Sequence, residues 1–143
     1  MSESAGYSKR PLADKLGLKA GMRVAILNAP DGYPALDGVE EVELSPKALD
    51  FIHLFTKSRT DLDAQFPKLK AALTPAGSLW VSWPKKASKV ETDLDDNVVR
   101  EMGLAIGLVD VKVAAVDQVW SGIKFVYRLK DRPTLPVKPP FSA

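Results

Sequence analysis

The chain has 143 residues, with 20 Lys and Arg against 18 Asp and Glu, a formal charge of +2 and 45% hydrophobic residues. That length holds one domain with a real core but not two, and so small a net charge excludes a general nucleic-acid binder, which gathers many cations on one face. With no cysteine and one histidine, His53, the chain has no disulfide scaffold, thiolate zinc site, iron–sulfur cluster, thiol nucleophile or multi-histidine cage, and only an all-carboxylate metal site stays open.

Residues 1–10 are small and polar without a period and read as a mobile leader, with order expected from Pro11. Met1-Ser2-Glu3-Ser4 lacks a signal-peptide pattern, and no apolar run approaches the roughly 20 residues that span a bilayer, so the expectation is a cytoplasmic protein away from membranes. Leu12, Leu16 and Leu18 fit a short helix over 11–18, closed by Lys19-Ala20-Gly21. Arg23-Val24-Ala25-Ile26-Leu27 then reads as a strand covered on both faces, ending in the turn Asn28-Ala29-Pro30-Asp31-Gly32.

Val39 to Leu44 alternates apolar residues with Glu40, Glu41 and Glu43, and Leu49 to Phe55 is a second buried-looking run. The short link between them cannot hold a parallel crossover, so the pair is expected to be antiparallel neighbours, or the first segment no strand at all. Leu62, Phe66, Leu69 and Leu73 share one face of a helix over 60–73, with Thr60 and Asp63 as its capping pair, Pro67 expected to kink or split it, and Thr74-Pro75-Ala76-Gly77 as its stop. Ser78 to Trp83 is the next strand, ended by Pro84. A further helix over 93–106 carries Leu94, Val98, Met102 and Ile106 as its stripe and Thr92 as its cap, with Gly107 closing it. Val109, Val111 and Val113 alternate with Asp110 and Lys112, and Ile123, Phe125, Tyr127 and Leu129 share a face beyond the turn at 117–122, which is a β-hairpin pattern. The tail 131–143 holds four of the chain's eleven prolines and reads as extended.

Strands alternating with helices before a terminal hairpin predict a three-layer α/β/α Rossmann-like sandwich on a mostly parallel sheet, in a single domain over 11–130. In such sheets ligands sit at the carboxyl ends of the parallel strands. The segments 28–33, 56–59, 83–86 and 117–121 are therefore expected on one rim.

The candidate ligand-binding residues are those of that rim: Asn28, Asp31, Lys57, Trp83, Lys85, Lys86, Trp120 and Ser121. Lys85 and Lys86, with Lys57, Arg59 and Lys89 nearby, make a cationic mouth for a carboxylate or phosphate, or else solvated loop lysines. Trp83 and Trp120 stack on a planar ligand or fill the core. Asn28 and Asp31 orient a ligand or serve only as turn formers. His53 lies among Phe51, Ile52, Leu54 and Phe55 and reads as a buried structural histidine more than a base. Ser121 lacks a Gly-x-Ser-x-Gly setting and a second histidine, which argues against a hydrolase. Asp93, Asp95 and Asp96 resemble a metal cluster but are better explained as first-turn carboxylates.

Gly77-Ser78-Leu79-Trp80-Val81-Ser82-Trp83-Pro84-Lys85-Lys86, the helix ending Gly103-Leu104, and Trp120-Ser121-Gly122 resemble a family of small bacterial proteins known only as a domain of unknown function. The order of elements from Leu49 to Arg128 is also similar, more loosely, to the back half of Rossmann-like methyltransferases that use S-adenosylmethionine. That second resemblance implies a glycine-rich turn after the first strand and a ribose-binding carboxylate after the second. Here those places hold Asn28-Ala29-Pro30-Asp31-Gly32 and, as the nearest acid, Glu43.

The residues alone call for no cofactor and no catalytic group. They favour a non-catalytic module that binds a small anion or a protein partner on the rim. The methyltransferase resemblance implies instead a reduced enzyme with S-adenosylmethionine. A third reading is a structural interaction domain whose proline-rich tail docks on another chain or on a second copy, as a homo-oligomer.

Overall fold

A computed structural model describes residues 12–31, 33 and 38–128. The expected leader, Pro11, Leu129 and the proline-rich tail lie outside the described residues.

The elements in chain order are α1 (Leu12–Leu16), β1 (Arg23–Leu27), β2 (Glu40–Glu41), β3 (Leu49–Phe55), α2 (Arg59–Ala72), β4 (Leu73–Pro84), a single 3-10 turn (Lys86–Ser88), α3 (Asp96–Ala105), β5 (Leu108–Ala115) and β6 (Trp120–Tyr127). The six strands form one sheet in the order β2-β1-β3-β4-β6-β5. The first four run parallel, and β6 is antiparallel to β4 and β5. This is the expected mostly parallel Rossmann-like sheet with a closing hairpin. Among the described residues no helix is long and apolar enough to cross a membrane.

β3 is central in register as well as in order, with Ile26↔His53 on one side and His53↔Trp80 on the other. Its alternate residues therefore bury on opposite faces. One face of the sheet carries Ala25, Ile52, Leu54, Val81, Ile123 and Phe125 against Leu62, Phe66 and Leu69 of α2 and Val99 of α3. The other carries Val24, Phe51 and Trp80 against Leu16 and Leu18, so the second outer layer is reduced to α1 and its exit. The Trp80 indole Nε1–H donates to the Leu16 carbonyl at 2.9 Å, satisfying one of the acceptors that a helix end leaves open. Full burial of a leucine or phenylalanine side chain contributes about 1.5–3 kcal/mol, so the α2 stripe holds this layer in place.

Several boundaries differ from the sequence expectation, each for a local reason. β2 is parallel to β1 through Arg23↔Glu40 and Val24↔Glu41, and β1 lies between it and β3, so the two segments are not antiparallel neighbours. α1 stops at Gly17, whose φ of 86° is the left-handed state glycine adopts freely, before Lys19-Ala20-Gly21 is reached. α2 is capped by Ser58, which accepts from the Asp61 amide at 3.1 Å, and not by Thr60. It runs unbroken through Pro67, which lies on the exposed side, where the carbonyl freed by the missing N–H is open to solvent. Thr74 to Gly77 is a bulge inside β4: Leu49 faces Leu73, and Phe51 already faces Ser78. α3 begins three residues later than Thr92 suggested, capped by Asp95, which accepts from the Val98 amide at 2.8 Å. Val111 and Val113, placed by alternation on a buried face, are 54% and 51% exposed because β5 is the edge strand.

Candidate functional site

The carboxyl ends of the parallel strands meet on one border, as the topology requires. Beyond Leu27, Asn28 takes a left-handed conformation (φ 61°), and its Nδ2 donates to the Phe55 carbonyl at the end of β3 at 3.3 Å. Asparagine tolerates that conformation because its short amide bonds locally. The Tyr33 amide then closes a turn onto the Pro30 carbonyl at 3.2 Å. At the other end of the border Trp83 faces Ser121 and Pro84 faces Trp120, while the Lys85 amide donates to Val119 at 2.7 Å. The Trp-Pro-Lys and Trp-Ser-Gly landmarks of the sequence are thus partners across two strands.

Two grooves open along this region. The first, of about 530 Å³, forms because β1 and β2 pair for only two residues and then diverge. Val24 to Leu27 line one wall and Glu41, Val42, Glu43 and Leu44 the other. It combines apolar walls with two carboxylates. The second, of about 370 Å³, is lined by Trp83, Lys85, Lys86, Asp95, Asp96, Asn97, Val113 and Ser121. Trp83 forms part of its floor and is otherwise buried in the core.

The eight candidate residues are therefore divided. Trp83, Lys85, Lys86 and Ser121 share the second groove. Trp120 projects to the opposite side of the sheet, where its ring meets Phe55 edge-on at 5.1 Å, so the two tryptophans do not flank one mouth. The mouth is also not purely cationic, because Asp95 and Asp96 line it together with the lysines. Asn28 and Asp31 follow β1 on the shared border, and Lys57 is exposed, with its carbonyl accepting from Thr92 Oγ1 at 2.6 Å. Each carboxylate of the 93–96 cluster serves a backbone amide: Asp93 that of Arg59, Asp95 that of Val98, and Asp96 that of Asn97. Among the described residues no group of three potential metal ligands gathers.

Beneath the border lies a polar chain that sequence reasoning did not assemble. His53 is fully buried, with Nδ1 at 3.0 Å from the Tyr33 hydroxyl and Nε2 at 2.8 Å from Ser82 Oγ. Its ring stacks on Phe55 with centroids 4.2 Å apart. Burial pushes its pKa down to about 3, so the imidazole is neutral. Burial, and then the charge of Glu41, raises the Tyr33 hydroxyl well above the usual phenol range. Ser82 is fully buried as well, which leaves no route for it to act as a nucleophile. The available signal was that His53 and Ser82 each interrupt an otherwise apolar stretch, 51–55 and 79–83.

No protein-family model and no curated protein matches the chain, so no match stands behind the likeness to the domain of unknown function. Solved structures do match. An S-adenosylmethionine-dependent methyltransferase from Aquifex aeolicus is 17% identical with a TM-score of 0.55, covering 80% of this chain and 86% of its own. A putative type 11 methyltransferase from Sulfolobus solfataricus is 13% identical with a TM-score of 0.57, covering 84% and 91%. Phosphoethanolamine N-methyltransferase 2 from Haemonchus contortus, in complex with S-adenosyl-L-methionine, is 12% identical with a TM-score of 0.57, covering 81% and 51%. The shared feature is the Rossmann-like methyltransferase fold. These matches overturn the leaning towards a module without catalytic function, since the three solved proteins of similar fold are described as methyltransferases, one of them in complex with S-adenosyl-L-methionine.

Proposed function

We propose that this chain is a reduced S-adenosylmethionine-dependent methyltransferase that uses the first groove for the cofactor and the second for the methyl acceptor. One observation carries the reading: the β2-β1-β3-β4-β6-β5 sheet, alike to methyltransferases over four-fifths of the chain, opens a carboxylate-lined groove at its first strand. The donor set fits an adenosyl group. Glu43 and Glu41 offer acceptors for ribose hydroxyls, and Leu27, Val42 and Leu44 offer apolar contact for the base. When bound, the cofactor supplies an electrophilic methyl group on a sulfonium centre.

The chain's own residues bind and orient. The carboxylates of the first groove favour a ligand carrying positive charge, and in the second Lys85 and Lys86 beside Asp95 and Asp96 favour a small anion or zwitterion. Fold alone does not assign activity, so the reading rests on this donor chemistry and is tested directly.

S-adenosylmethionine and S-adenosylhomocysteine are expected to raise the melting temperature, since a ligand at one hundred times its Kd stabilises by about 2.7 kcal/mol. Glu43→Gln is expected to weaken S-adenosylhomocysteine at least fivefold by calorimetry. A flat melting temperature at millimolar cofactor overturns the reading.

A further inference from the structure

We propose that Tyr33 is a positioning residue, anchored on His53, that fixes the segment following β1 against the first groove; its ligand coupling rests on the cofactor reading above. The methyltransferase resemblance implies a glycine-rich turn at this place, where the backbone itself shapes the ligand's approach. In this chain the described part of the segment has Asn28, Ala29, Pro30, Asp31 and Tyr33, and side chains secure it instead. Asn28 Nδ2 donates to the Phe55 carbonyl at one end, and the Tyr33 hydroxyl meets His53 Nδ1 at the other. Both anchors are on β3, the strand beside β1, so the segment is held to the sheet at two points.

The second anchor has no local substitute. His53 is wholly buried and has two ring nitrogens, one satisfied by Ser82 Oγ at 2.8 Å and the other by Tyr33 at 3.0 Å. A neutral imidazole donates at one nitrogen and accepts at the other, so a buried nitrogen without a partner is costly and Tyr33 is drawn onto His53. Tyr33 also lies edge-on to Phe55 at 5.6 Å, so the ring is fixed by packing as well as by its hydroxyl. Ile26, a wall of the first groove, pairs with His53 across β1 and β3. The groove and the anchor are thereby neighbours, and a ligand that engages Glu41 meets a segment already in place.

Tyr33→Phe keeps the ring and removes the hydrogen bond, while Ser82→Ala unpairs the opposite nitrogen of the same imidazole without touching the segment. A purely structural role makes the two variants alike. The positioning role predicts that Tyr33→Phe alone speeds amide exchange at Asn28, Ala29, Asp31 and Tyr33 at least tenfold, with exchange in β3 and β4 matched between variants. It also predicts that Tyr33→Phe alone weakens S-adenosylhomocysteine at least fivefold. Equal exchange in the two variants overturns the proposal, and faster exchange with unchanged affinity overturns its coupling to the ligand. If the unaltered protein fails to bind S-adenosylhomocysteine, the cofactor reading falls, and amide exchange in the ligand-free protein still decides whether Tyr33 fixes the segment.

Discussion

Gly103→Ala sets two measurable effects against each other. Gly103 is buried within α3, and a Cβ built there lies 2.2 Å from Phe125 Cε1, 2.7 Å from Cζ and 2.8 Å from Cδ1. Alanine in a helix interior is favoured over glycine by about 1 kcal/mol, which argues for stabilisation. Overpacking a tight core costs typically about 1–3 kcal/mol. The upper part of that range applies, because Phe125 is fully buried and packs edge-on to Phe66 at 5.4 Å, so the ring cannot turn aside and the helix must lift. The balance is a loss of about 1–2 kcal/mol, or several degrees in Tm at roughly 4 °C per kcal/mol. Urea unfolding followed by circular dichroism, with an unchanged slope, measures it. A variant as stable as the original would mean that helix and sheet are not in van der Waals contact here, and the wall of the second groove formed by residues 95–97 would lose its support.

Three further outcomes follow from the same structure. His53 has its pKa lowered to about 3 by burial, against about 6.5 unfolded, so its share of stability is complete above pH 6.5 and is lost as pH falls towards 3. The slope is about 1.4 kcal/mol per pH unit across that window, and His53→Gln should flatten it in urea melts at pH 4 to 7; an identical slope in the variant assigns the loss to carboxylates instead. The double variant Lys85→Ala, Lys86→Ala should weaken binding of inorganic phosphate at least fivefold by calorimetry while changing stability by no more than about 0.5 kcal/mol, Lys86 being exposed and Lys85 half-buried; unchanged affinity removes the lysines from anion binding. Trp80→Phe leaves the buried Leu16 carbonyl without its donor and should cost about 1–3 kcal/mol, with the loss of protection concentrated in α1 and its exit; an intact α1 in amide exchange would show that the indole bond does not hold the helix.

What the sequence disclosed follows from the range of the interactions involved. Strand β3 and the stripe of α2 were readable because burial imposes a period on neighbouring residues, and Leu62, Phe66 and Leu69 occupy the positions that period gave. Helix starts were less readable, since Ser58, Thr60, Thr92 and Asp95 are all competent caps, and tertiary bonds chose among them. Thr92 Oγ1 donates to the Lys57 carbonyl and accepts from the Leu94 amide, a turn ahead of the helix that leaves the cap of α3 to Asp95. The shared border was legible from topology, but the side of the sheet was not. Trp83 and Trp120 follow the same rule of strand ends and still point apart, because Pro84, not Trp83, pairs with Trp120. The Tyr33–His53–Ser82 chain joins three segments 20 and 29 residues apart, a separation at which a single sequence carries no pairing signal.

The spacing of the two grooves bears on how one reaction could use both. The first lies beside β1, and the second is lined from β4, β6 and β5, with β3 between β1 and β4. Neighbouring strands are about 4.8 Å apart, so from β1 the near wall of the second groove at Trp83 is roughly 10 Å away and its far wall at Val113 roughly 19 Å. On the proposed reading, a nucleoside held near Glu43 would have to reach over β3 to bring its far end to the near wall at Trp83. The segment beyond β1 is what such a ligand must pass, and there the chain has anchored side chains where a glycine turn would leave room. Tyr33 lies with Phe55 and Trp120 on one side of the sheet and the second groove with Trp83 and Ser121 on the other, so on the proposed reading a ligand serving both would have to cross the carboxyl edge of β3.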